Sequence, residues 1–261
     1  MNSLTSACSN IWTIARKELR TYFSSPIAYI LIAAFLVIMG WMFNGILGYF
    51  AKAAAEASMY NSGKAPSMSA GLIRPLYGNM NLIYLFMIPF ITMRLFAEEK
   101  KNQTFALLMT SPLTLTEIIL GKFISSFLMV TLMLACTLFY PLILYWVGSP
   151  DTGTIVASII GILLLNSCYL AIGILFSALT ENQIVAATLT FATILFLWIV
   201  SWAASTAGPV LGALLQYLSV VGHFNNFNQG VLNTSDFVFY LSFIGIGLFI
   251  THRVLDSYRW R

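Results

Sequence analysis

Apolar residues run along this chain in stretches too long for the core of a soluble fold, and polar residues gather in the gaps between them. Runs of about 20 apolar residues suit membrane helices, because a rise of about 1.5 Å per residue must cross about 30 Å of hydrocarbon. The pattern predicts six such helices, at 27–50, 78–96, 122–148, 153–178, 184–206 and 236–253. Pro89 lies in the second and Pro141 in the third. Both are expected to kink their helices without ending them, since neighbours in a bundle re-satisfy a freed carbonyl. Of the gaps, 51–77 is rich in Ala, Ser, Asn and Gly, and 147–153 and 179–183 are short turns. The last gap, 207–235, holds an apolar stretch, Val210 to Val221, that is too short to cross easily. It is expected to be a re-entrant or interfacial helix.

Two gap segments are amphipathic. In Ile11–Phe23, a step of about 100° per residue gathers Ile11, Ile14, Ala15, Leu19, Tyr22 and Phe23 on one broad side with Trp12. Arg16, Lys17 and Arg20 gather on the other. Aromatic and basic residues together predict an interfacial helix over residues 10–25, with Trp12, Arg16, Lys17 and Arg20 at the lipid surface. Ser24-Ser25-Pro26 then ends it and starts the first span. The second segment, Arg94 to Phe123, is too polar to span and too apolar for a free loop. It carries a charged knot, Glu98-Glu99-Lys100-Lys101, then a short helical stretch from Thr104 to Met109, stopped by Ser111-Pro112. Thr116 is expected to cap a helix feeding the third span. A docking surface for a partner protein and a solvated connector between two spans account for this segment equally well.

Composition changes the picture in one direction. Hydrophobic residues make up 59% of the 261 residues and charged residues only 8%, against about 25% in soluble domains. Nine acidic and thirteen basic side chains cannot cover a soluble surface, so lipid is the expected solvent and the chain reads as a single membrane domain over 1–261. The basic excess of +4 flanks the apolar runs, which marks topology and not nucleic-acid binding. With both termini inside, the inner segments hold ten basic residues: Arg16, Lys17, Arg20, Arg94, Lys100, Lys101, Lys122, Arg253, Arg259 and Arg261. The outer segments hold three, Lys52, Lys64 and Arg74. The positive-inside rule and the even number of spans both place the termini in the cytoplasm. The first apolar run, Ile27 to Phe50, far exceeds the roughly 7–15 residues of a signal peptide core, so it is read as a membrane anchor.

Candidate chemistry is sparse. Gly121-Lys122 is followed by Phe123 and lacks the spacing of a phosphate-binding loop. The cysteines Cys8, Cys136 and Cys168 have no metal or redox spacing, and the histidines His223 and His252 stand alone. No ionisable residue falls near a span centre, which disfavours a proton or ion relay. Asn44, Asn166, Thr131, Thr137, Thr188 and Thr190 are expected to bond neighbouring helices, and the small pair Gly173 and Ser177 suits close helix packing. No catalytic residue, cofactor site or metal site is expected on this chain.

The stretch Ile88-Pro89-Phe90-Ile91-Thr92-Met93-Arg94-Leu95-Phe96-Ala97-Glu98-Glu99-Lys100, followed by Gln103-Thr104, Leu107-Leu108, Ser111-Pro112, Glu117-Ile118 and Leu120-Gly121-Lys122-Phe123, resembles the permease subunits of ABC-2 type transporters. Within them it is most similar to the GldF type, named after gliding motility. Ala15-Arg16-Lys17-Glu18-Leu19, Tyr22-Phe23, Ser25-Pro26, His223-Phe224-Asn225-Asn226-Phe227, Gly230-Val231 and Tyr258-Arg259-Trp260 fit the same subfamily. Two positions depart from its pattern: Gln103 stands where a glycine is usual and Ala106 where a glutamate is. The resemblance implies six spans, an N-terminal interfacial helix and a coupling region, residues 97–121, between spans two and three. It implies a bacterial inner-membrane exporter subunit with no enzymatic activity of its own. ATP and magnesium would sit on a separate cytoplasmic ABC ATPase, contacted through Glu98, Glu99, Lys100, Thr104, Leu107 and Leu108. A second permease copy or paralogue, membrane lipids and an outer-facing accessory protein complete the expected partners, with no nucleic acid. The subfamily's name also allows a non-transporting anchor of an envelope machine.

Overall fold

The computed structural model describes residues 2–59, 67–206 and 208–258. Lys64, Arg259, Trp260 and Arg261 lie outside these residues, so the parts of the charge pattern and closing motif that rest on them are not described. Among the described residues every regular element is helical, and six helices are long and apolar enough to cross a membrane.

α1 (Asn2–Ser24) meets α2 (Pro26–Met59) at a one-residue elbow, Ser25. Pro26 opens α2, a position where a missing backbone N–H costs nothing. α2 is 34 residues long, about 51 Å, and outruns the hydrocarbon layer. The segment expected to be loop after residue 50 is therefore helical to Met59. Its sequence, Ala51-Lys-Ala-Ala-Ala-Glu-Ala, is rich in strong helix formers. A π-helical turn, Ser69–Ile73, leads into α3 (Arg74–Thr92), which keeps Pro89 inside it. α4 (Ala97–Lys101) and α5 (Phe105–Thr110) form a short hairpin before α6 (Leu115–Thr137).

α6 corrects one expectation, its cap, and bears out another, the kink at Pro141 within one span. Its cap is Thr114 and not Thr116. The Thr114 hydroxyl accepts from the Glu117 N–H at 3.3 Å and the Glu117 carboxylate accepts from the Thr114 N–H at 2.8 Å, a capping box that Thr116 has no glutamate at the right spacing to form. At the far end α6 stops at Thr137 and α7 (Phe139–Val147) resumes after Leu138. Pro141 is the cause: it has no N–H for the Thr137 carbonyl and its ring crowds that group.

α8 (Thr152–Leu179) is the axis of the bundle and packs against α3, α6, α9, α11 and α12. Its small residues let it do so. A Cβ on Gly161 would lie 2.4 Å from the Phe227 Cβ, and one on Gly173 would lie 2.2 Å from the Thr92 hydroxyl. On the outside of the bundle, α2, α9 (Gln183–Thr206) and α12 (Thr234–Tyr258) turn most of their apolar surface outward, led by Trp41 and Trp202. Inter-helical bonding of these span threonines forms only at Thr137, which reaches the Met80 sulfur of α3 at 4.0 Å. Thr131, Thr137, Thr188 and Thr190 each donate to a carbonyl three or four residues back in their own helix, the shortest route for a helical hydroxyl.

Between α9 and α12 the chain forms α10 (Pro209–Leu218) and α11 (Val220–Asn228). Both are too short to cross, as expected for this gap. His223 fixes them. Its Nδ1 lies 2.6 Å from Asp236 of α12 and its Nε2 lies 3.0 Å from the Tyr217 carbonyl. The Phe239 ring stacks on the imidazole at 4.1 Å, and Asn226 donates to the second Asp236 oxygen. The His-Phe-Asn-Asn-Phe run is thus a clasp that closes this end of the bundle. Replacing His223 with Ala leaves the Asp236 carboxylate buried with only the Asn226 amide. That should cost about 3 kcal/mol or more, read as a lowered thermal midpoint of the detergent-purified protein, while Asn225→Ala, whose side chain makes none of these bonds, should leave the midpoint nearly unchanged.

Candidate functional site

The end of the bundle opposite the His223 clasp carries the α4–α5 hairpin. α3 ends there because α8 supplies its cap. The Ser177 hydroxyl donates to the Met93 carbonyl at 3.1 Å and accepts from the N–H groups of Phe96 and Ala97 at 3.0 and 3.2 Å. The chain can then turn sharply into α4 against the C-terminal turn of α8.

Lys122 of α6 anchors the hairpin from below. The residue is 1% exposed, and its ammonium donates to Glu18 of α1 at 2.8 Å, Glu99 of α4 at 2.9 Å and the Leu95 carbonyl at 2.6 Å. The Phe96 ring lies 5.0 Å away. Three donors meet three acceptors, the condition under which a buried charge is tolerated. α1 is drawn in by the same contact. A Cβ on Gly121 would lie 2.7 Å from the Ile14 side chain, so only glycine lets α1 and α6 approach this closely. Tyr22 donates to the Ile91 carbonyl at 2.8 Å. Burial, with the Glu18 carboxylate nearby, pushes its phenol up, so it serves as a neutral donor.

Lys100 makes the second anchor. It is buried, donates to the Ala178 carbonyl at the end of α8, and lies 3.5 Å over the Tyr258 ring of α12. A lysine at a helix C-terminus completes carbonyls that have no intrahelical donor. α4 then ends in a Schellman motif: the Gln103 N–H bonds the Lys100 carbonyl at 3.1 Å and the Thr104 N–H bonds the Glu99 carbonyl at 3.0 Å. This requires a left-handed residue, and Gln103 takes it with φ +58°. The glycine usual in the resembling subfamily is the residue best suited to that conformation.

The six residues assigned to a partner contact therefore divide. Glu99 and Lys100 turn inward as struts. Glu98 is half-buried on α4, and Thr104 is exposed before α5. Leu107 projects outward with 71% of its surface exposed, and Leu108 is half-buried against the core. On α1, Arg16, Lys17 and Arg20 share an exposed face that lines a cleft of about 450 Å³ with Thr13, Thr21 and Ser24, and Trp12 is exposed on its flank. The apolar side of α1 meets protein where lipid was expected, because α6 and the elements around it cover Ile14, Ala15 and Tyr22.

Sequence reasoning missed Lys122 and Glu18 as partners. The signal was present. Glu18 is the one acid among three basic residues of α1 and lies on the opposite side of the helix from them. Lys122 sits in an apolar run, where an ammonium needs carboxylates.

The family model described as ABC-2 family transporter protein matches residues 12–251, nearly the whole chain. The chain belongs to that family. It matches none of the curated proteins.

Two substitutions test the geometry. Lys122→Met strands two carboxylates and should cost about 3–5 kcal/mol, read by thermal unfolding in detergent; adding Glu18→Gln and Glu99→Gln to it should recover most of the loss. Gln103→Gly should raise stability by about 1 kcal/mol, since the left-handed conformation carries a penalty of that order in a residue with a Cβ.

Proposed function

We propose that this chain is the membrane-spanning permease subunit of an ATP-driven ABC-2 type exporter of the GldF kind, driven by a separate cytoplasmic ABC ATPase. Members of this family work with ABC ATPase partners. The observation that carries the reading here is the α4–α5 hairpin, a surface that is exposed at its tip and rigid at its base. Leu107 stands clear of the body, while Lys122, Lys100 and Ser177 tie the base to α1, α6 and α8. A solvated connector would need neither feature. A hairpin that receives a push and passes it to the spans needs both.

In this reading Leu107 leads the ATPase contact, with Leu108, Thr104 and Glu98 around it. Glu99 and Lys100 transmit force instead of touching the partner. The hairpin, α1 and both termini face the cytoplasm of a bacterial inner membrane, supported by the basic residues at this end. A second copy or paralogue completes the transport unit, and the α10–α11 end faces outward, where an accessory protein would meet it. Energy comes from the partner, in keeping with spans whose charges sit at their ends.

The deciding experiment is co-purification of the tagged protein from its native membrane. A soluble ATPase with a phosphate-binding loop should accompany the wild type at about one per permease chain. Leu107→Asp should leave membrane insertion and thermal midpoint unchanged and lower ATPase recovery by about tenfold or more, the cost of losing a central contact residue. Recovery of other envelope proteins without any ATPase would move the non-transporting anchor ahead.

A further inference from the structure

At the hairpin end, the last turns of α12 pass the first turns of α6 and leave two clefts between them. The first, about 400 Å³, is walled by Ile119 and Leu120 of α6 and by Leu248 and Phe249 of α12. Leu120 and Phe249 are 37% and 57% exposed, so the cleft opens on the outer flank of the bundle, where lipid lies. The second, about 380 Å³, is more polar: Ser111, Thr114 and Asp256 line it beside Met109, Leu113 and Leu115. Thr116 and His252 line both clefts, so the two adjoin as one surface channel, apolar along the spans and more polar at their ends.

The charges along this channel are placed in order. Arg253 borders the apolar cleft, His252 stands where the clefts meet, and Asp256 borders the polar one. Among the described residues, none of the three forms an ion pair or a side-chain hydrogen bond. The guanidinium of Arg253 rests 5.1 Å from the Phe249 ring, which holds it over the mouth of the apolar cleft. Lys122, by contrast, is fully paired at this end, with two carboxylates and a carbonyl. A cation followed by an unpaired acid, beside an apolar slot, is complementary to a molecule with a hydrocarbon tail, then an anion, then a cation.

We propose that this channel is a binding site for a phospholipid with a zwitterionic, amine-bearing headgroup, of the phosphatidylethanolamine class. One acyl chain lies between Leu120 and Phe249. The phosphate meets Arg253, His252 and the Thr116 hydroxyl, and the primary ammonium meets Asp256. Arginine and phosphate form charge-assisted hydrogen bonds, and the apolar slot holds the chain by burial. Phosphatidylglycerol satisfies Arg253 but offers Asp256 only neutral hydroxyls in place of a cation. A quaternary choline headgroup has no N–H to give that carboxylate. Because the polar cleft also touches Met109 and Leu113, the bound headgroup lies against the linker from α5 to α6. The proposal stands without the transporter reading, since it concerns the lipid contact alone.

The test is native mass spectrometry of the detergent-purified full chain, titrated in competition with phosphatidylethanolamine, phosphatidylglycerol and phosphatidylcholine. The wild type should retain one phosphatidylethanolamine in preference to the other two. Arg253→Gln should lower retention of all three by about tenfold, the equivalent of one charged hydrogen bond. Asp256→Asn should abolish the preference for phosphatidylethanolamine over phosphatidylglycerol and leave phosphatidylglycerol retention equal or higher. Leu248→Trp fills the slot without touching a charge and should lower retention of every lipid, with an unchanged thermal midpoint confirming the fold. Equal retention of the three lipids by the wild type, or a preference for phosphatidylglycerol that Asp256→Asn leaves unaltered, overturns the assignment.

Discussion

An ammonium group cannot stay at the edge of a hydrocarbon layer unless its protons are taken, and Lys122 brings three separate parts of the chain together to take them. Glu18 comes from α1, Glu99 from α4 and the Leu95 carbonyl from the end of α3. None of these groups is close to another in sequence except Leu95 and Glu99. The requirement therefore fixes tertiary structure: α1 must lie against α6, and the hairpin must fold back over both. Gly121 permits the approach and Ser177 shapes the turn, and the charge at the centre selects that arrangement. A hydrophobic replacement of all three side chains would suit the bundle's stability as well or better. What the charges provide is register, because an ammonium with three fixed acceptors admits one arrangement where an apolar contact admits several.

Much of this architecture was legible in the sequence, and the parts that were not share a cause. Six apolar runs gave six membrane-length helices, since length and hydropathy are local properties that the bilayer reads directly. A short helix in the gap before the last span was visible for the same reason, but its division at Ser219 into two helices, the second reaching Asn228, was not. The hairpin was visible as a segment of mixed character. The roles of Glu99 and Lys100 were not, because the same charged knot can face solvent or fold inward, and the choice depends on Lys122 and on the end of α8. The cap at Thr114 was readable from the glutamate three residues on; attention to Thr116 missed it. The His223 clasp lay within a run noted only for resemblance, and its partner Asp236 is thirteen residues away on another helix.

α8 shows how close packing substitutes for the hydrophobic effect inside a membrane. Lipid tails offer apolar side chains as good an environment as another helix does, so helices associate through contact area and small residues. Gly161 receives Phe227, Gly173 receives Thr92, and Gly247 of α12 sits against Ala171. The first lies more than two turns from the other two along α8, and the three fall on different faces of it. They make α8 the member against which the rest are indexed, and they connect the clasp at one end to the hairpin at the other through a single rod.

The placement of charge along the spans has an electrical consequence. Among the described residues, Glu18, Glu99 and Lys122 cluster at one end of the bundle and His223 and Asp236 at the other, with apolar and neutral polar groups between. Moving one elementary charge through a potential of 100 mV is worth about 2.3 kcal/mol. A rearrangement of these spans that keeps each charged group at its own end carries almost no charge through that field. The balance between its conformations is then nearly independent of membrane voltage, so the molecule would behave the same in an energised cell and in a depolarised vesicle.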